Sequence, residues 1–346
     1  MKSLDKNFRH LSREDKLKQL VDYGWLDKTN YQTLLSNPVI DEEVANSLIE
    51  NVIGQGTLPV GLLPKIIVDE KEYVVPMMVE EPSVVAAASY GAKLVNQTGG
   101  FKTIKSERLM IGQIVFDDVK DTEDLTQRIQ KQENQIKRIA DEAYPSIIRR
   151  GGGYRGIDID AFPNEQLLSL KVFVDTKDAM GANMLNTILE AVTAYLKNEL
   201  TDQEILMSIL SNHATSSVVR VEGEIDINDL NRGDYSGEEV AKRMERASVL
   251  AQVDIHRAAT HNKGVMNGIH AVVLATGNDT RGAEASAHAY AARDGQYRGI
   301  ATWKYDEARG RLVGTIEVPM TLAIVGGGTK VLPVAKASLD LLNVES

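Results

Sequence analysis

Between residues 107 and 213 the hydrophobic period switches in the order strand, helix, strand, strand, helix, strand, which restricts the fold more than any other feature of the chain. The strand-like runs cover 111–116, 156–162, 167–175 and 205–210, and the helical ones 122–141 and 179–198. The first helix sets Leu125, Ile129, Ile136 and Ile139 on one face among Glu, Lys, Arg and Gln; the second does the same with Leu185, Ile188, Leu189, Val192 and Leu196. Two such helices can cover one face of a four-stranded sheet, so the pattern predicts a ferredoxin-like (βαββαβ) small domain at 107–213. It would be inserted into a discontinuous large domain made of 1–106 and 214–346. The fold class is therefore α+β.

The flanking segments supply the large domain, predicted to be mostly helical around a central buried helix. Ser12 with Asp15 resembles a capping box before a short helix through Val21, and 41–49 reads as a second helix. Residues 66–79 read as a hairpin turning at Asp69-Glu70-Lys71 and delivering the chain to Glu80 and Glu81. Pro82 suits a first helical turn, and the Ala-rich run 84–95 lets neighbouring backbones approach, as a central buried helix requires; it closes at Asn96 and Gly99-Gly100. Beyond 214 come a strand-like 216–227, a helical 237–252, a polar-rich 254–282 and a strand-like 311–319. Glycine clusters at 151–153 and 326–328 can bring amides near a phosphate, but neither forms G-x-G-x-x-G between a strand and a helix, so a Rossmann fold is not supported.

Several partners are argued against. A formal net charge of -10 disfavours nucleic acid and anionic membranes, both of which need a cationic surface. The absence of cysteine removes disulfides, thiolate metal sites and thiol nucleophiles. No signal-like start and no run of about 18 apolar residues is present, so a cytoplasmic protein is expected. The six histidines show no metal-ligand spacing, so no metal is expected.

Chemistry concentrates in three places. Glu80-Glu81 follows a strand, where a carboxylate facing the core would be special and a solvated strand end is the alternative. The run 254–267 holds Asp254, His256, Arg257, Thr260, His261, Asn262, Lys263 and Asn267, and Val272-Val273-Leu274-Ala275 leads into Thr276-Gly277-Asn278-Asp279. Lys263 can serve as the cationic counterpart of Asp279, although an exposed loop with one salt bridge would look similar. Asp178-Ala179-Met180-Gly181-Ala182-Asn183 opens the second amphipathic helix, where free amides favour an anion such as pyrophosphate; a plain Asp N-cap is the alternative.

From Phe8-Arg9-His10-Leu11-Ser12 to about Asn343 the chain resembles the class II hydroxymethylglutaryl-CoA (HMG-CoA) reductases. The likeness rests on five motifs in order: Glu50 to Gly54, Glu80 to Ala87, Asp178 to Asn183, His256 to Gly264 and Ala275 to Asp279. It implies two successive hydride transfers that take HMG-CoA through mevaldehyde to mevalonate and free CoA. In that scheme Lys263 polarises the carbonyl, Glu81 is the general acid of the second reduction, and Asp279 tunes both. Ser83, Arg257, Asn267 and Arg9 would bind HMG-CoA. Asp178, Met180, Gly181, Asn183 and Asn212, with Gly327 and Thr329, match the dinucleotide site. A homodimer is implied, with the site at the subunit interface and Glu50 to Gly54 near that contact.

Two departures from the family pattern stand out. NAD-using relatives place an Asp before the Gly-Gly-Gly run, where this chain has Tyr144; without that charge a 2′-phosphate is not repelled, and Arg149 or Arg150 can pair with it. NADPH is therefore favoured, with NADH possible. Family members also continue into a C-terminal flap with a catalytic His that protonates the departing thiolate, whereas this sequence ends at Ser346; weak or absent overall turnover with retained ligand binding is the expectation. The competing readings are a CoA-ester and dinucleotide-binding fragment without turnover, and an acyl-CoA transferase or hydrolase using Glu81 or Asp279 as base.

Overall fold

Ser12 stands in extended backbone with its Oγ accepting the Asp15 amide at 3.1 Å, which satisfies a donor that a first helical turn leaves open and starts α1 (Arg13–Asp22). The computed structural model describes Leu4, residues 8–36 and residues 40–344, apart from the side chains of Arg9 and Lys330; the predicted substrate contact of Arg9 thus lies outside the described residues. After α2 (Lys28–Ser36), Asp41 caps α3 (Glu42–Leu48). The hairpin follows as β1 (Val60–Val68) and β2 (Lys71–Met78), antiparallel. It turns on Asp69 and Glu70 at φ 48° and 65°, the left-handed pair that a tight hairpin turn needs.

The Ala-rich run forms α4 (Val84–Asn96), followed by β3 (Lys102–Ser106). Burial of α4 is one-sided, contrary to the expected central buried helix: Val84, Ala92, Leu94 and Val95 are buried, while Ala86, Ala87, Tyr90 and Lys93 are exposed. Pro82 also falls before the helix rather than in its first turn.

Residues 106–218, with 319–321, form one of two compact units. This unit runs β4 (Met110–Asp117), α5 (Thr122–Lys131), α6 (Glu133–Ala143), α7 (Pro145–Arg149), β5 (Gly153–Phe162), β6 (Leu167–Asp175), α8 (Ala182–Glu199), β7 (Glu204–Ser211). Its sheet has the order β5-β6-β4-β7 with every pairing antiparallel. The single helix expected over 122–141 is broken at Gln132, where Gln132 N–H bonds Ile129 O and Gln135 N–H bonds Gln132 O in the tighter i to i+3 pattern. The apolar stripe survives the break, because Leu125, Ile129 and Ile136 join Leu185, Ile188, Leu189, Val192 and Leu196 in one buried cluster. Gly112 on β4 permits this closeness: a Cβ there would sit 2.5 Å from Leu189 Cδ1.

The other unit comprises 1–105, 219–318 and 322–346. Its second half runs β8 (Val218–Asp226), α9 (Gly237–Val253), α10 (Ile255–Ala275), α11 (Thr280–Ala291), β9 (Ala301–Asp306), β10 (Arg311–Pro319), α12 (Gly328–Val331), α13 (Pro333–Leu342). The order β3-β8-β10-β9 makes a second four-stranded sheet, so this unit mixes sheet with its helices. The polar-rich stretch from 254 is helical rather than loop: Asp254 caps α10 by accepting the amides of His256 and Arg257, each at 3.2 Å. Among the described residues no helix is long and apolar enough to cross a membrane.

Candidate active site

Ala271 of α10 packs in one core cluster with Met77 of β2 and with Val84 and Ala92 of α4. That packing fixes α10 beside the end of β2, and Glu81 lies three residues beyond that strand. The result is a contact across 182 residues of sequence: Lys263 Nζ lies 2.5 Å from Glu81 Oε2. The side chains are 60% and 43% exposed, so within this chain Glu81 stands at a solvated strand end rather than facing the core. An exposed pair of this kind is worth no more than about 1 kcal/mol, which makes stability a poor reason for it.

Helical spacing puts Asn267 and His270, four and seven residues on from Lys263, on the same face of α10. His270 Nδ1 lies 3.1 Å from Glu284 Oε1 of α11. Neither Arg257 nor Asn267 engages its side chain in a hydrogen bond or ion pair among the described residues, so both are available to a ligand. Ser83 is exposed and holds φ 72° and ψ -11°, a left-handed conformation that costs a non-glycine residue of order 1–3 kcal/mol and that clusters at functional sites.

Asn262, beside Lys263, was present in the motif but carried no predicted role. It is fully buried: Nδ2 donates to Arg298 O at 2.8 Å and Oδ1 accepts the Ile300 amide at 2.9 Å, so the carboxamide pairs with a passing backbone as another peptide would. Gln252 Nε2 adds a bond to Gly299 O at 2.9 Å. Asn262 thus fixes how α10 is turned, and hence where Lys263 points, while Gln252 ties α9 to the same 298–300 segment. His261 is held against Gly299; burial, and then the charge of Arg257, push its pKa below the ordinary 6.5.

Asp279 is committed locally. Its Oδ1 accepts the Gly282 amide at 3.0 Å as the cap of α11, and among the described residues no ion pair joins it to Lys263. Two of the three predicted catalytic groups thus meet directly, and the third stands at a helix start. The turn leading to it is set by a close backbone approach: a Cβ on Gly277 (φ 67°) would lie 2.9 Å from Ala335 Cβ, and one on Gly328 would lie 2.7 Å from Gly277 O. Asn278 completes the seam, donating to Ala323 O at 3.0 Å and accepting the Ala323 amide at 2.7 Å. Gly328 therefore serves packing, whereas a Cβ on Gly326 or Gly327 would meet nothing within 4 Å; Gly327 precedes α12, and the buried Thr329 donates to Gly326 O.

In the smaller unit the motif from Asp178 forms a tight turn before α8, not its first turn. Gly181 is the N-cap at φ 93°, a Cβ there would meet Thr176 Cγ2 at 2.3 Å, and no side chain caps the helix. The alternative of Asp178 as an N-cap is thereby excluded. Asp178, Asn183 and Asn212 are exposed, and Met180 is half-buried. Tyr144 and Arg149 line a hollow of about 320 Å³ with Ser146, and Arg150 is exposed beside it in sequence. The 151–153 glycines offer less to a phosphate than their composition promises, because the Gly151 and Gly152 amides already donate to Ile148 O and Ile147 O.

Residues 12–346 match the family model for hydroxymethylglutaryl-coenzyme A reductase. The 3-hydroxy-3-methylglutaryl-coenzyme A reductase of Archaeoglobus fulgidus is 39% identical over 349 aligned residues, spanning 100% of this chain and 78% of that protein. A probable reductase of the same kind from Borreliella burgdorferi is 32% identical, spanning 99% and 77%. The solved reductase of Streptococcus pneumoniae superposes with a TM-score of 0.93 at 42% identity, covering 97% of this chain and 80% of that one. A further Streptococcus pneumoniae structure, described as a class II reductase bound to NADPH in open conformations, gives the same TM-score. The chain belongs to the hydroxymethylglutaryl-coenzyme A reductase family, within its class II branch.

Proposed function

We propose that this chain reduces HMG-CoA to mevalonate and CoA, with Lys263 and Glu81 at the reacting carbonyl. The observation that carries the reading is the contact between Lys263 Nζ and Glu81 Oε2 at 2.5 Å, brought about by two helices and a strand rather than by sequence proximity. The ammonium donates to the carbonyl oxygen and holds the negative charge that develops there, an arrangement in which one preorganised donor is worth roughly 10²- to 10³-fold in rate. Glu81, which accepts from that ammonium through Oε2, has first to take a proton from solvent, and as the carboxylic acid it passes that proton to the alkoxide in the second reduction. Asp279, fixed as a helix cap, is assigned to tune the same pair. Arg257 and Asn267, with their polar groups unengaged among the described residues, take the HMG carboxylate, for which a guanidinium fork is well shaped. Ser83 assists from its strained turn.

The smaller unit, whose strand order and two-helix core fit a ferredoxin-like domain, takes the dinucleotide. The uncapped start of α8 behind Gly181 and the hollow lined by Tyr144 and Arg149 fit a phosphorylated adenosine coenzyme. NADPH is the favoured one, as Tyr144 bears no charge to repel a 2′-phosphate; when bound, it supplies the hydride. Asp178, Met180, Gly181, Asn183 and Asn212 line its path, and Gly327 and Thr329 are the further candidates for the same ligand. The site is completed in a homodimer, where a second subunit would give Glu81 the burial that a single chain lacks.

Following NADPH and NADH oxidation separately against HMG-CoA and against mevaldehyde tests this. Oxidation with mevaldehyde and a higher kcat/KM for NADPH are expected. A strong NADH preference would refute the coenzyme assignment, and thiol release from HMG-CoA without nicotinamide oxidation would favour a hydrolase.

A further inference from the structure

We infer that Asp175 is a positioning residue for the coenzyme: one carboxylate ties the backbone turn at 151–154, which directly follows α7 and the hollow lined by Tyr144 and Arg149, to the turn at 176–181 that leads into α8, so that the two move as one piece. The inference rests on the coenzyme reading above and goes beyond it, since neither Asp175 nor its partner Arg155 belongs to the motifs that carry that reading.

Asp175 ends β6, directly across the sheet from Gly153, and its side chain is only 15% exposed. Oδ2 accepts from Arg155 Nη2 at 3.1 Å and from Lys177 Nζ at 2.9 Å, while Oδ1 accepts the Lys177 amide at 3.0 Å. Arg155 faces the other way as well: its guanidinium donates to Gly151 O at 2.7 Å, to Gly152 O at 3.2 Å and to Tyr154 O at 3.0 Å. One planar group thus gathers the carbonyls of the glycine turn and anchors them to a single carboxylate, a task for which a lysine has the wrong shape. On the far side, Lys177 stands at φ 52° and Thr176 Oγ1 donates to Ala179 O at 2.9 Å, which winds the chain tightly into Gly181. The half-buried Arg108 closes the arrangement, donating to Ala179 O at 2.9 Å and feeling the charges of both Asp175 and Asp178.

Charge follows geometry. Arg108, Arg155 and Lys177 face Asp175 and Asp178, three cations against two carboxylates, which leaves the junction of the two turns with one positive charge in excess. Burial raises the affinity of Asp175 for a proton, but the Lys177 hydrogen bonds and the charges of Lys177 and Arg155 outweigh it, and its pKa lies below the ordinary 3.8. The carboxylate is therefore ionised wherever the enzyme works. Removing its charge would free Arg155 and Lys177 from their shared anchor and unlink the turns, without touching Lys263, Glu81 or Arg257.

The test is a cycle of Asp175→Asn, Arg155→Gln and the double variant in the full chain, titrated calorimetrically with NADPH and, separately, with HMG-CoA. Each single variant should weaken NADPH about tenfold, and the double should be little worse than either because both break the same link. HMG-CoA affinity should hold, and with mevaldehyde the loss should appear in the KM for NADPH rather than in kcat. Native NADPH affinity in Asp175→Asn, additive losses in the double variant, or a parallel loss of HMG-CoA binding would each overturn the inference. Should Asp175→Asn fail to fold, Arg155→Gln alone carries the same comparison. An unmodified chain that binds neither NADPH nor NADH would instead overturn the coenzyme reading itself.

Discussion

Lys263 and Glu81 meet at 2.5 Å although 182 residues separate them, and both remain substantially exposed. An ion pair at this exposure contributes little to folding. Stability therefore does not account for the pair, whereas the proposed role at a ligand bound between α10 and the end of β2 does.

Glu81→Gln should lower the rate of mevaldehyde reduction by about 10²- to 10⁴-fold through loss of the transferable proton. Lys263→Ala should lower it about 10²- to 10³-fold by removing the oxyanion donor. Thermal stability should barely change in either. Steady-state rates with mevaldehyde decide the matter, and an ordinary rate from Glu81→Gln would end its assignment as the acid.

Asn262→Ala strips two partners from a buried backbone, leaving Arg298 O and the Ile300 amide unpaired. A loss of about 2–4 kcal/mol in unfolding free energy is expected, since each orphaned group costs roughly 1–3 kcal/mol. Asn262→Asp should fare no better, as it sets an oxygen against the Arg298 carbonyl. Urea midpoints would show it; a change within experimental scatter would mean that the segment finds other partners.

His261 makes stability depend on pH in a defined direction. Its folded pKa lies below 6.5 because burial, and then Arg257, disfavour the imidazolium. The unfolded chain therefore takes up the proton first, so this contribution is complete above pH 6.5 and declines as the pH falls toward the depressed folded value. Unfolding titrations of the native chain and His261→Gln should converge on acidification through that window. Parallel curves would remove His261 as the cause.

Much of this was legible in the sequence, for reasons visible in particular residues. The stripes of Leu125 to Ile139 and Leu185 to Leu196 are strong enough to place both helices, and the order of the motifs alone points to the family. The break at Gln132 was hidden because the apolar stripe continues through it. The helical nature of the stretch after Asp254 was masked by its density of polar residues, which α10 distributes over an exposed face and, at Asn262, a buried one. The two alternatives at Glu81 stayed open in the sequence because a hydrophobic strand before a carboxylate does not say whether the strand's end is covered. Asp175 and Arg155 carried no signal, since a charge beside a glycine run looks the same whether it faces water or gathers carbonyls.

Leu341 of α13 lies in one cluster with Leu17, Leu20, Leu26 and Val74, and Asp340 accepts from the Asp27 amide at 3.1 Å. The amino-terminal helices therefore wait on the ribosome for a lid that is made some three hundred residues later, whereas nearly all of the nested unit, residues 106–218, emerges as one uninterrupted stretch. Nascent chains stalled ahead of α13 should resist protease across that inner stretch and be trimmed before it, a maturation order that runs from the middle of the gene product outward.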